Sequence, residues 1–74
     1  MNVQLTSCDA VRPDRRAIAK TLEEIGVGVD SSLARELTDI LLDGSPVEIE
    51  VADGNTSSSF RALRKMEIDY EIEE

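Results

Sequence analysis

With 74 residues, 16 acidic and 8 basic side chains and a formal net charge of −8, the chain has room for one small domain, and its charge opposes phosphate backbones and anionic membrane surfaces. A composition 41% hydrophobic and 32% charged reads as globular, and one Phe, one Tyr and no Trp require a mainly aliphatic core. There is no His, so a serine or cysteine nucleophile lacks its usual base, and the single Cys8 excludes an internal disulfide and a thiolate metal cluster.

In chain order, Asn2 to Ser7 alternates Val3 and Leu5 with Gln4 and Thr6, which predicts a short first strand. Pro13 suits the first position of a helix, and Ile18, Leu22 and Ile25 follow at helical spacing to about Ile25. Gly26-Val27-Gly28 stops that helix. Asp30-Ser31-Ser32 offers caps for a second helix, whose apolar stripe is Leu33, Leu37, Ile40 and Leu41 and which ends at Gly44 and Pro46. Val47 to Val51 then alternates apolar side chains with Glu48 and Glu50, the pattern of a strand with one dry and one wet face. Asp53-Gly54 supplies a turn, and Asn55 to Ser59 is a run of side chains suited to capping a third helix. That helix carries Phe60, Leu63 and Met66 on one stripe, with Arg61, Arg64 and Lys65 between them and cations suited to the negative end of its dipole. Ile68 to Glu73 repeats the acid-faced alternation and forms a third strand.

The expected fold class is therefore α/β in the broad sense (α+β): a single two-layer β-α-α-β-α-β domain over residues 1–74, with three helices on one face of a three-stranded sheet. Two antiparallel helices return the chain so that strand 2 runs against strand 1, and the third helix makes strand 3 parallel to strand 2. Placing strand 1 between them sets Gln4 and Thr6 between the rows Glu48, Glu50 and Asp69, Glu71, Glu73, which reduces cross-strand repulsion. Glu48, Glu50 and Glu71 to Glu74 discourage pairing of the outer edges, so a monomer is expected.

This order, with Lys20 before Gly26-Val27-Gly28, Leu33-Ala34-Arg35-Glu36-Leu37 in the next helix, and Ala62-Leu63-Arg64-Lys65 followed by Tyr70-Glu71-Ile72-Glu73, resembles the C-terminal domain of the bacterial ribosomal stalk protein over roughly residues 15–74. That acidic large-subunit protein recruits translational GTPases. In the family a lysine-bearing helix ends in Gly-Leu-Gly, the next helix reads Glu-Ala-Lys-Asp-Leu, and the chain closes with Ala-Leu-Lys and a strand Glu-Val-Glu-Val. The resemblance implies a protein-interaction module that binds a translational GTPase or another ribosome-associated protein through Lys20, Gly26, Val27, Gly28 and Arg35, and the single Cys8 and the absence of His lead to the expectation of a cytoplasmic, non-catalytic protein. The family's N-terminal dimerisation segment and hinge have no counterpart in residues 1–74, so an isolated domain is expected. Two departures are plain. Glu23, followed by Glu24, stands where the family has an arginine one turn after the lysine, and Met66-Glu67 stands where it has a glycine.

Competing readings come from the same residues. Exposed cations such as Lys20 and Arg35 also serve simply to solvate a helix, and the glycine turn also serves as a tight bend. The acidic sheet face fits a basic partner, as in an adaptor resembling the Clp protease adaptor, whose topology is similar. Arg12, Arg15, Arg16 and Lys20 suggest RNA, and the glycine turn is similar to the interhelical loop of a KH domain, but the four-residue Gly-x-x-Gly and its basic surroundings are lacking. Asp53 to Ser57 resembles a calcium loop only superficially, since Ser58 and Arg64 fall where glycine and glutamate are needed. An anion at the third helix N-terminus is outweighed by ordinary capping. Cys8, with only Arg12 near in sequence, reads as a small buried thiol, and the strand carboxylates read as solvated ladders without cause for a raised pKa. No phosphate loop, dinucleotide fingerprint or zinc spacing occurs. Met1-Asn2-Val3-Gln4 lacks the features of a signal peptide, and the longest apolar run is far below membrane length. No enzyme activity, cofactor, metal, DNA or membrane is expected.

Overall fold

The alternating stretches become the strands β1 (Asn2–Cys8), β2 (Val47–Glu50) and β3 (Ile68–Glu73), and the periodic ones become the helices α1 (Arg15–Ile25), α2 (Ser31–Leu42) and α3 (Thr56–Lys65) in the computed structural model, which describes residues 1–73. Glu74, the last carboxylate expected to guard a sheet edge, lies outside the described residues. The strand order is β2-β1-β3, and β1 is antiparallel to both neighbours, as the return of the helix pair and the α3 crossover require. Val3, Leu5, Val47, Ile49, Val51 and Ile68 line the dry face and are buried beneath Ile18 and Leu22 of α1, Ala34 and Leu41 of α2, and Leu63 of α3. The two aromatic side chains, Phe60 and Tyr70, stack with centroids 4.7 Å apart and tie α3 to β3.

β1 is longer than its short alternation implied, and a bulge is the reason. Leu5 faces Tyr70 but Ser7 faces Asp69, so Thr6 is an extra residue on β1. The inward series then runs Val3, Leu5, Cys8, and the half-buried thiol reaches the core and donates to Met66 O at 3.6 Å. Gln4 does lie between Glu48 and Glu71, and Asn2 between Glu50 and Glu73. Opposite Asp69, however, stands Ser7 and not Thr6, and its hydroxyl donates to Asp69 Oδ2 at 3.1 Å.

The helix ends differ in three places from what the residue types imply. α1 starts two residues after Pro13, because the Asp14 carboxylate accepts the Ala17 N–H at 3.1 Å and so becomes the cap. Asp30 caps α2 in the same way through the Leu33 N–H at 2.8 Å. α3 has no side-chain cap: a 3-10 turn, Asp53–Asn55, leads directly into it, with the Asn55 N–H bonded to Ala52 O. After α3, Glu67 takes a left-handed φ of 58°, and its N–H closes on Arg64 O.

α2 is also rotated from its most apolar stripe. Leu33 and Ile40 are each 39% exposed, whereas Ala34, Thr38 and Leu41 are buried. Ala34 is small enough for close approach, and the Thr38 hydroxyl enters the core because it donates to Ala34 O at 2.7 Å. Among the described residues, no helix is long and apolar enough to cross a membrane.

Two carboxylates are raised, and one of them, Glu73 on β3, departs from the solvated-ladder expectation for the strands. Asp9 shares a hydrogen bond with the Asp69 carboxyl and feels its repulsion, which holds Asp9 above the usual carboxylate range. Glu73 is raised first by dehydration among the strands and then by proton sharing with Glu48 and repulsion from Glu48 and Glu71. Since its side chain remains exposed, the crowding by Glu48 is the cause a substitution can relieve. A carboxylate raised in the fold adds stability below its unfolded pKa, around pH 4, and loses it as pH rises through the folded value. Glu73→Gln should therefore raise the melting temperature at neutral pH and flatten the decline just above pH 4. Thermal unfolding followed across that range checks this, and a lower neutral melting temperature for the variant would contradict it.

Candidate functional site

On α1, Arg16, Lys20 and Glu23 are spaced four and three residues apart, which lines them up on the outer side while Ile18 and Leu22 turn to the core. α2 runs back along α1 and carries Arg35 and Asp39 one turn apart. Between the helices lies an open groove of about 450 Å³, lined by Lys20, Arg35, Arg15, Arg16, Glu23 and Asp39 among others. Four cations against two carboxylates give the groove a local net of plus 2 on a chain whose formal charge is −8.

Within the groove Arg15 is committed to an ion pair with Asp39, which joins the start of α1 to the later turns of α2. Arg16, Lys20 and Arg35 are exposed and form no ion pair among the described residues. They are the cations left to meet a ligand. Thr38, buried, and Ala19, partly buried, give the groove a small-sided floor between the charges.

The glycine turn lies elsewhere. Gly26 and Val27 border a second groove with Glu24, Asn55, Ser58 and Ala62, against the start of α3. A Cβ on Gly26 would stand 2.5 Å from Val29 Cγ2 and 2.8 Å from Leu22 O, so glycine is needed there for close packing. Val27 donates its N–H to Glu50 O at 2.7 Å and Gly26 bridges Val51, which fastens the turn to the end of β2. Gly28 borders neither groove and has φ +74°, with nothing within 4 Å of the position a Cβ would take. Of the five residues singled out from sequence, Lys20 and Arg35 share one groove, Gly26 and Val27 another, and Gly28 serves backbone geometry.

No protein-family model, curated protein or solved structure matches this chain. The chemistry of the site rests on its own residues. Among the described residues, no three His, Cys, Asp or Glu side chains are gathered to hold a metal ion. Sequence reasoning assigned Arg15 and Arg16 to an RNA cluster and missed their place beside Arg35. The spacing of Arg16, Lys20 and Glu23 on one helix face was the available signal, whereas the Arg15–Asp39 pair, 24 residues apart, had none.

Proposed function

We propose that this chain is a non-catalytic protein-interaction module, similar to the ribosomal stalk C-terminal domain, that receives an acidic segment of a protein partner in the α1–α2 groove. The observation that carries this reading is the gathering of Arg16, Lys20 and Arg35, exposed and without ion pairs among the described residues, on a chain that is otherwise strongly acidic. Opposite charge across such a surface speeds encounter and fixes orientation. The element order and the glycine-type backbone at Glu67, where the family has a glycine, support the same kinship. A translational GTPase or another ribosome-associated protein in the cytoplasm is the proposed partner class. Glu23 projects into the groove in place of the family's arginine, so the partner's carboxylates engage the Arg16 and Lys20 side and avoid Glu23. Arg15 is already neutralised by Asp39, which leaves the RNA reading with fewer free cations.

The protease-adaptor-like reading has its own observation: Glu48, Glu50, Asp69 and Glu71 are all exposed on the uncovered sheet face. The two are separated by affinity capture from a native lysate with quantitative mass spectrometry. Lys20→Glu combined with Arg35→Glu should reduce recovery of the partner at least about tenfold, the equivalent of about 1.4 kcal/mol. Unchanged recovery of every captured protein rejects the groove.

A further inference from the structure

The sheet has two outer strands, and they are not equally open. β2 is four residues long, and the α1–α2 turn fastens to the outer side of its end through Val27 N–H and the Gly26–Val51 bridge. β3 is six residues long, and among the described residues nothing pairs with its outer edge.

Strand alternation tells which backbone groups that edge presents. Val51 N–H donates to Met1 O at 2.7 Å, and the Met1 amine donates to Val51 O at 3.0 Å. Met1, Val3 and Leu5 therefore bond toward β2, and Asn2 and Gln4 bond toward β3, where their register partners are Glu73 and Glu71. Tyr70 and Ile72 are left with N–H and C=O directed outward. Their side chains lie on the dry face, where Ile72 is 50% exposed and Tyr70 stacks on Phe60. Asp69, Glu71 and Glu73 lie on the opposite face of the same strand, each exposed.

We propose that the outer edge of β3 binds an extended peptide segment in which cationic and apolar residues alternate, adding it as a fourth strand. Its cations then face Asp69, Glu71 and Glu73, and its apolar residues cover Ile72 beside the Phe60–Tyr70 stack, so backbone, charge and apolar surface are matched in a single register. A second copy of this chain offers the wrong complement, because its own β3 sets carboxylate opposite carboxylate. The α3 cations Arg61, Arg64 and Lys65 form no ion pair with the β3 carboxylates among the described residues, so the row keeps its charge for a ligand. This surface does not include the α1–α2 groove, and the inference does not rest on it.

The test is an NMR titration at low salt and neutral pH with a blocked Lys-Val-Lys-Ile-Lys-Val peptide. Chemical-shift changes should centre on β3, and the Tyr70 and Ile72 amides should gain protection from hydrogen exchange. A Lys-Lys-Lys-Val-Ile-Val permutation and a version N-methylated along its pairing edge should each bind at least about tenfold more weakly. Glu71→Lys/Glu73→Lys should transfer the preference to Glu-Val-Glu-Ile-Glu-Val. Equal binding of the permuted peptide, shifts away from β3, or no binding overturns the proposal, as does a doubled sedimentation mass without peptide, which makes a second copy the occupant.

Discussion

Leu5→Ala is expected to remove about 2–5 kcal/mol of stability, the cost of emptying a fully buried leucine site in the central strand. A chain of 74 residues at roughly 0.05–0.15 kcal/mol per residue has about 4–11 kcal/mol in total, so this one truncation consumes a large share of it. Leu5 is paired with Val47 on one side and Tyr70 on the other, and neither outer strand can shift inward without breaking its ladder to β1. The cavity therefore stays open. Ile72→Ala makes a comparable deletion on the same sheet face, but at a side chain 50% exposed, and should cost less than half as much. Urea unfolding of both variants measures the contrast. Equal midpoints would mean that the core is not organised around β1.

Gly26→Ala should cost about 1–3 kcal/mol, because the added methyl meets Leu22 O, a backbone atom of the preceding turn, and the Val29 side chain. Val29 has freedom to rotate, but Leu22 O does not: it also accepts the Gly26 N–H at 2.9 Å. Gly54→Ala is the natural comparison, since nothing lies within 4 Å of its Cβ position and its φ is outside the left-handed region. There the substitution should be neutral or stabilising by up to about 1 kcal/mol through the unfolded chain. Denaturant midpoints for the pair distinguish a packing requirement from a general glycine effect. They also decide how the turn between α1 and α2 is to be understood: a large loss at Gly26 assigns it to architecture, leaving Val27, 50% exposed, as the turn residue able to touch a partner.

Much of the fold was legible because its strands announce themselves. Val47 to Val51 and Ile68 to Glu73 alternate so regularly that the face of each residue follows from its position, and Ile72 keeps its dry-face place although it stays 50% exposed at the open edge. The bulge at Thr6 was not legible, since Asn2 to Ser7 alternates without a glycine or other marker, and the extra residue is defined only by its partner Asp69. The orientation of α2 was hidden for a different reason. Of the apolar stripe Leu33, Leu37, Ile40 and Leu41, Leu41 is buried and Leu37 packs against the core, but Leu33 and Ile40 stay exposed because tight packing favours small Ala34 and the internally satisfied Thr38 at the contact. Asn55 to Ser59 looks like a cap from composition, yet a preceding 3-10 turn supplies continuity without a side chain. At the groove, Lys20 and Arg35 were visible as isolated cations. Their juxtaposition depends on the antiparallel return of α2, and so does the neutralisation of Arg15 by Asp39.

The most direct measurement of the central claim, that the α1–α2 groove receives an acidic partner segment, is an NMR titration of the folded domain with a Glu-rich amphipathic helical peptide. The account predicts amide shifts concentrated at Arg16, Ala19, Lys20 and Arg35, weakening with added salt and disappearing in Lys20→Glu/Arg35→Glu. Shifts that persist in that variant, or that fall on the sheet and leave the groove untouched, would contradict it.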